Sequence, residues 1–368
     1  MSHTVFHRHG VPARALSMLL LAAMLILAVD AAALEMESLY TVRVALDPDD
    51  PEAREYAYQS ALQQVLVRLT GVADADGSAQ LAELFPNPQR YVLQFRPLAD
   101  NALQVSLDGA AIESVLRQAG QTIWGRDRPL TLVWLAVDWG QGEREIVAAE
   151  DQARIAGASR SIDRNRLLRE RLQEAADRRG LPIVFPLLDT EDLQNISFSD
   201  IWGGFDQRLL QAAGRYGAAS VLVGRVRPGV GQRNRWSYYF GDLQRQWSGE
   251  PEQAIDLLAD TLVAEFAVDS NMPPETVTLN ISGVDSLPAY GEVQNLMEEL
   301  GQVENFTLRS VTGDRVSYVV MVRGGAERLS RALELSGVLQ PVTGIGSGID
   351  PLQLPQFDIL DFVYRPQR

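Results

Sequence analysis

The stretch that decides the fold reads TVTLNI at 276–281, AYGEVQNLMEEL at 289–300, VENFTLRSV at 303–311, RVSYVVMV at 315–322, AERLSRALEL at 326–335 and VLQP at 338–341. Apolar residues alternate in the first, third and fourth segments and recur every three or four positions in the second and fifth. The expected order is therefore strand, helix, strand, strand, helix, strand. Gly313-Asp314 supplies the turn between the middle pair of strands. This β-α-β-β-α-β order, in about seventy residues, is the split-βαβ pattern of a ferredoxin-like fold. Such a sheet carries helices on one side only, and Val277, Leu279 and Ile281 point away from Thr276, Thr278 and Asn280. On the neighbouring strand Val319 and Met321 fall on the side opposite Tyr318 and Val320, so both faces hold apolar residues. The open face is expected to be covered by the preceding module, by a partner's sheet or by the tail at 357–364.

Working outward from this stretch, the chain reads as an α+β protein of three α/β modules in series, at 34–127, 128–270 and 275–345, followed by an extended tail at 346–368. The first module opens with a strand over 39–46. The acidic turn Asp47-Pro48-Asp49-Asp50-Pro51 follows, with Asp50 placed as N-cap and Pro51 at the first helical position. Tyr58, Ala61, Leu62, Val65, Leu66 and Leu69 recur at helical spacing, and Gly71 is a natural stop. Strands are expected at 90–95 and 102–107, then a helix over 111–123. The middle module begins with a nearly continuous apolar run at 130–137, the pattern of a strand covered on both faces. An Arg-rich helix at 163–179, a strand at 183–188, a helix at 206–216 and a strand at 220–226 come next. Gly241-Asp242 then joins the strands 235–240 and 243–247 as a hairpin, and a helix at 251–267 closes the module.

Composition removes most chemistries. The chain has 368 residues, no Cys, and 33 Lys plus Arg that all prove to be Arg. The three histidines are His3, His7 and His9. They precede an apolar run of fourteen uncharged residues, 15–28, flanked by Arg8 and Arg14 and followed by small residues at 31–33, the layout of a cleaved export signal. That run is short for a membrane anchor, which needs about 20 apolar residues. With 1–33 removed as a signal peptide, the chain keeps 31 Arg against 47 Asp and Glu, a net charge of −16, and has no His, Cys or Lys. Ser-His-Asp and Cys-His catalysis, His/Cys zinc sites, Schiff-base lysines and a P-loop lysine are all excluded from it. The negative charge argues against nucleic acid as a partner. No second stretch approaches spanning length, so no transmembrane segment is expected after cleavage.

Three blocks carry a family resemblance: Leu39-Tyr40-Thr41-Val42 through Thr70-Gly71, Arg128-Pro129-Leu130 leading to Trp134, and Tyr216-Gly217-Ala218 through Val223-Gly224. Together they resemble the bacterial domain-of-unknown-function 2066 family over most of the chain that follows the signal. The resemblance implies an exported Gram-negative protein and brings no catalytic residue with it. The middle module is similar to the N-terminal domain of the translocation protein TolB and to lipoprotein activators of penicillin-binding proteins, on Gly217 to Gly224 and the Trp-bearing hairpin after it. This likeness concerns fold alone.

Several candidate sites have ordinary readings. Asp74, Asp76, Gly77 and Glu83 occupy places 3, 5, 6 and 12 of a calcium loop at 72–83, but Val72 stands where its first carboxylate belongs. The glycines at 344–348 and the pair Gly203-Gly204 lack the spacing of a nucleotide fingerprint. Arg164, Arg171 and Arg178, seven residues apart, form a stripe able to contact an anion; the alternative is a solvated face with Glu174 paired to Arg178. Carboxylates are the remaining catalytic resource, and Glu191 with Asp192, beside Trp202, Trp236 and Trp247, is the one pair suited to a carboxylate-dependent hydrolase of cell-wall glycan. The reading that follows is a non-enzymatic periplasmic protein without cofactor or metal, acting through contacts with another envelope protein. Export is checked by terminal sequencing: protein from the periplasmic fraction is expected to begin between Ala32 and Glu35, and intact Met1 on membrane-bound protein would show an uncleaved anchor instead.

Overall fold

A computed structural model describes residues 39–47, 50, 52–126, 128–149, 159–229, 234–342 and 358–365. The signal segment and the glycines at 344–348 lie outside them. The fold is α+β. Among the described residues it contains a three-stranded, a six-stranded and a five-stranded sheet, with a two-stranded ribbon between the first and the last in chain order.

The first sheet is antiparallel, ordered β1-β3-β2, from β1 (Thr41–Ala45), β2 (Val92–Leu98) and β3 (Ala102–Leu107). Helix α1 (Ala53–Thr70) lays Ala61, Leu62, Val65, Leu66 and Leu69 into the core, the face expected from their spacing. Its start differs from expectation. Glu52 occupies the N-cap position, while Asp50 Oδ1 accepts from Glu52 N at 2.8 Å and so organises the turn before the helix. Helix α2 (Ala75–Glu83) follows. A 3₁₀ turn at Pro88–Tyr91 takes up the first residues of the strand expected at 90–95, because Pro88 suits a first helical position. Helix α3 (Gly109–Gln118) is shorter than expected, and Thr122–Ile123 forms the ribbon strand β4.

The middle sheet is ordered β10-β9-β8-β5-β6, with β7 also on β5. Its strands are β5 (Thr131–Gly140), β6 (Glu143–Ile146), β7 (Ile183–Val184), β8 (Ser220–Val226), β9 (Arg235–Phe240) and β10 (Leu243–Ser248). The apolar run at 130–137 is covered on both sides. Val133, Leu135 and Val137 pack with α4 (Ser159–Arg179) and α8 (Pro251–Phe266), whereas Leu132, Trp134 and Ala136 pack with α6 (Phe198–Gly203) and α7 (Asp206–Ala213). Between β7 and α6 lies the short α5 (Thr190–Asn195). Gly224 is required where β8 passes β9: a Cβ there would sit 2.4 Å from the Trp236 ring and 2.6 Å from Leu135.

The last sheet holds β12 (Glu275–Ser282), β13 (Val303–Thr312), β14 (Arg315–Val322), β15 (Leu339–Pro341) and β16 (Asp358–Tyr364), with helices α9 (Leu287–Glu299) and α10 (Gly325–Leu335). The strand order is β13-β14-β12-β16-β15. Element order up to β15 matches the expected β-α-β-β-α-β, but the sheet departs from the ferredoxin-like arrangement. The place beside β12 goes to β16, which runs parallel to β12 and antiparallel to β15. The tail therefore neither covers the open face nor hangs free of the sheet. Phe362 anchors it in the core, since the sheet-forming alternation of 358–364 offers Leu360, Phe362 and Tyr364 to the helix side.

Arginines join these layers. Arg128 donates from Nε to Gly125 O, from Nη1 to Arg179 O and Gly180 O, and from Nη2 to Arg68 O and Trp124 O, at 2.5–3.1 Å. Its guanidinium lies 3.9 Å above the Trp124 ring, and Trp124, assigned by sequence to the first module, packs into the core of the middle one. Arg68 reaches Asp177 O and Thr41 O; Arg179 reaches Gly71 O, Asp256 and Asp260. Helix C-terminal carbonyls lack intrahelical partners, and these cations satisfy them where the macrodipole is negative. Lysine has three donors against five, so Arg128→Lys leaves at least two carbonyls unmet at about 1–3 kcal/mol each. Chemical denaturation is expected to show a loss of at least about 2 kcal/mol; a loss under about half a kcal/mol would mean that water replaces the knot without cost.

Candidate functional site

The carboxylates suited to glycan hydrolysis are engaged in folding. Asp192 is 3% exposed; its Oδ1 accepts from Arg215 Nη1 at 2.8 Å, and its Oδ2 accepts from Leu188 N at 2.9 Å and from the Tyr216 hydroxyl. Glu191 lies at the surface, 3.5 Å from Arg215 Nε. Asp189, the N-cap of α5, is held down to about 2 by the same guanidinium. Trp236 and Trp247 pack into the core on the α4/α8 side of the sheet, and Trp202 stacks on Phe198 on the other side. The structure does not gather the three tryptophans into one floor.

The arginine stripe is largely internal pairing. Arg164 lies over the Trp139 ring and 2.5 Å from Glu143 Oε2; Arg171 pairs with Glu252 in the first turn of α8. Arg178 is exposed, and among the described residues no ion pair joins it to Glu174. Asp74 of the calcium-like loop is a helix cap, accepting from Gly77 N at 2.7 Å. Gly204 closes α6 at φ 81°, a structural use of the Gly203-Gly204 pair. Among the described residues no group of three His, Cys, Asp or Glu side chains is placed to hold a metal ion.

A different feature stands out: a cleft of about 650 Å³ between the first and third modules. One wall comes from α3 and the chain after it, with Glu113, Arg117 and Arg126; the other comes from the end of α9 and the start of β13, with Asn295, Glu298 and Glu304. Half-buried Ile123, Val268 and Val303 supply apolar surface, with Phe266, Leu300 and Trp124 buried behind it, and the ribbon formed by β4 and β11 (Val268–Asp269) borders it. Its charges are compensated locally. Glu113 accepts from Arg117 Nη1 at 3.0 Å and from the buried Tyr40 hydroxyl, and Arg126 donates to that hydroxyl while lying over the Tyr40 ring. Opposite, Arg323 pairs with Glu304 and donates to Ser270 O at 2.6 Å and Met272 O at 2.8 Å. Such walls present fixed polar groups beside a few half-buried apolar side chains, an arrangement that suits binding.

None of these wall residues stood out in the sequence, because Glu113 and Glu304 lie far apart along the chain and neither belongs to a motif. Gly109, 125 and 301 were the available traces. A Cβ at Gly109 would fall 2.4 Å from the Tyr40 ring, so the glycine makes room for the tyrosine behind Glu113.

Burial, then Glu113, pushes the Tyr40 phenol from 10 up to about 12. The folded chain thus favours the protonated phenol; this stabilisation is complete below the unfolded value and lost as pH rises through the folded one. Tyr40→Phe is expected to reduce the alkaline loss of stability by one proton's worth of slope between 10 and about 12, measured by urea unfolding across that window. An unchanged slope would place the Tyr40 phenol in water.

Residues 33–125 match the family model described as Domain of unknown function (DUF8605). That span holds β1, α1, the first sheet and the Glu113–Arg117 wall of the cleft. The match supports an uncharacterised domain over that span, and the comparisons give no support to the expected resemblance to the 2066 family or to the expected likeness with TolB and the lipoprotein activators. No curated protein and no solved structure matches the chain.

Proposed function

We propose that this chain is a non-catalytic exported protein of the bacterial envelope, and that it works by holding a protein partner in the cleft between α3 and β13. The observation that carries the reading is the cleft itself, with a mixed polar and apolar lining and an acid–arginine pair within each wall. A segment entering it displaces water from Ile123, Val268 and Val303 and meets charges of both signs at the rim, the arrangement that gives a contact both affinity and register. The export signal read at 1–33 supports the location. The absence of His, Cys and Lys beyond residue 9 supports a role without nucleophilic or metal chemistry. No helix among the described residues is long and apolar enough to cross a membrane.

Site-specific photocrosslinking in cells tests the proposal. A photoreactive residue at Asn295 is expected to trap a discrete protein adduct that the same residue at exposed Arg245, on β10, does not trap. Glu298→Arg on the rim is expected to weaken that adduct several-fold. Identical adducts from the two positions, or none from Asn295, would overturn the cleft as the contact site.

A further inference from the structure

In the last sheet β13 pairs with β14 on one side only, and among the described residues no strand lies on its other side. A free edge presents backbone N–H and C=O groups without ladder partners, and proteins usually blunt it with shortness, proline or charge. β15, at the opposite edge, has three residues and ends in Pro341, and β2, at an edge of the first sheet, carries Pro97. β13 has ten residues and no proline, and each of them is exposed or half-buried. Its sequence VENFTLRSV, at 303–311, mirrors itself in apolar character about Thr307: Val303 answers Val311 and Phe306 answers Leu308. In an even pleat, residues three apart fall on opposite faces. Here the ladder to β14 passes over one extra residue between Val303 and Asn305 and another between Leu308 and Ser310. These two bulges, at Glu304 and Arg309, bring all four apolar residues to the helix side, in line with the buried Val322, Val320, Tyr318 and Val316 of β14. Leu308 and Val311 nevertheless stay 42% and 57% exposed.

We infer that β13 is a dimer edge, at which two copies of this chain join antiparallel about a two-fold axis through Thr307 and continue one sheet into the other. A second copy is the fitting occupant because the strand is complementary to itself. In this register Phe306 meets Leu308 of the second copy and Val303 meets its Val311, all on the helix side, which covers the exposed pair. Each facing segment holds one bulge, so neither strand slips against the other. Glu304 comes beside Arg309 of the second copy, and the two-fold axis makes that contact twice. A single strand pair buries less than the roughly 1,200–2,000 Å² of a standard interface, so association depends on concentration. Val303 and Glu304 also line the cleft, and pairing therefore carries Arg309 and Val311 of the second copy to its rim. The use of that arrangement rests on the cleft being a contact site; the dimer itself does not.

The chain has no cysteine, so Thr307→Cys gives the full-length protein a single thiol on the two-fold axis. Directly opposite Cα atoms of an antiparallel pair lie about 4.5–5.5 Å apart, within disulfide reach. Oxidation with copper phenanthroline is expected to link Thr307→Cys into a covalent dimer at least tenfold faster than Thr312→Cys, which the same register holds far from its own copy. Sedimentation is expected to show a monomer–dimer equilibrium that Arg309→Glu weakens at least tenfold, and Glu304→Arg likewise, since each sets like charges across the seam. Mixing the two variants restores opposite charges and is expected to return the dimer to the parent's level, a recovery that a folding defect does not give. Where a charge variant fails to fold, the thiol comparison decides alone. Equal oxidation rates at 307 and 312, a monomer at every concentration up to about 1 mM, or a mixture no more associated than its components would overturn the pairing. A photoreactive residue at Thr307 that traps another protein in cells and never a second copy would assign the edge to that protein instead. These readouts are independent of the Asn295 crosslink.

Discussion

The guanidinium of Arg128 spends all five of its N–H groups on backbone carbonyls: those of Arg68, Trp124, Gly125, Arg179 and Gly180. Two of the segments it joins are helix ends, of α1 and α4, and the third is the link between the first two modules. Burial pushes this group down to about 9, which leaves it charged at neutral pH. A planar five-donor cation can answer three chain segments at once, and an ammonium group cannot. With Arg68 and Arg179 alongside, the carboxyl ends of two helices approach each other despite their like dipoles, because positive charge lies between them.

The same device recurs at the other junction. Arg323 grips the carbonyls of Ser270 and Met272, and Arg328 takes that of Ala267. There the cations lie nearer water, so their hold is weaker. A protein with no cysteine cannot join its parts by disulfides. It uses arginine for both a firm junction and a looser one, and burial distinguishes them. The cleft lies beside this second junction. Its walls reuse the same chemistry, with Arg117 on Glu113 and Arg323 on Glu304.

Local pattern decides much in this chain. The apolar spacing of 58–69 placed the buried face of α1, and the run at 130–137 signalled a strand with two covered faces, borne out by its division between two core clusters. The Gly241-Asp242 hairpin pairs Phe240 with Leu243 as its turn residues demand. These features depend on side chains within a few positions of one another. Asp50 shows the limit of such reasoning: its acidic character marks a helix start, but the cap falls two residues later at Glu52.

What composition and periodicity determined by themselves was the class of the fold, the identity of most helices and strands, and the chemistries that a chain without His, Cys or Lys beyond its first residues cannot perform. Tertiary structure alone decided that β16 enters the last sheet beside β12. Alternation specifies which face of a strand is buried but not which edge it joins. It alone decided that Asp192 is a buried partner of Arg215 rather than a solvated acid, and that Arg164 and Arg171 face Glu143 and Glu252. The cleft belongs to the same class. Its walls come from residues nearly two hundred positions apart, and their juxtaposition is set by how helices and sheets pack, which no local window of sequence encodes.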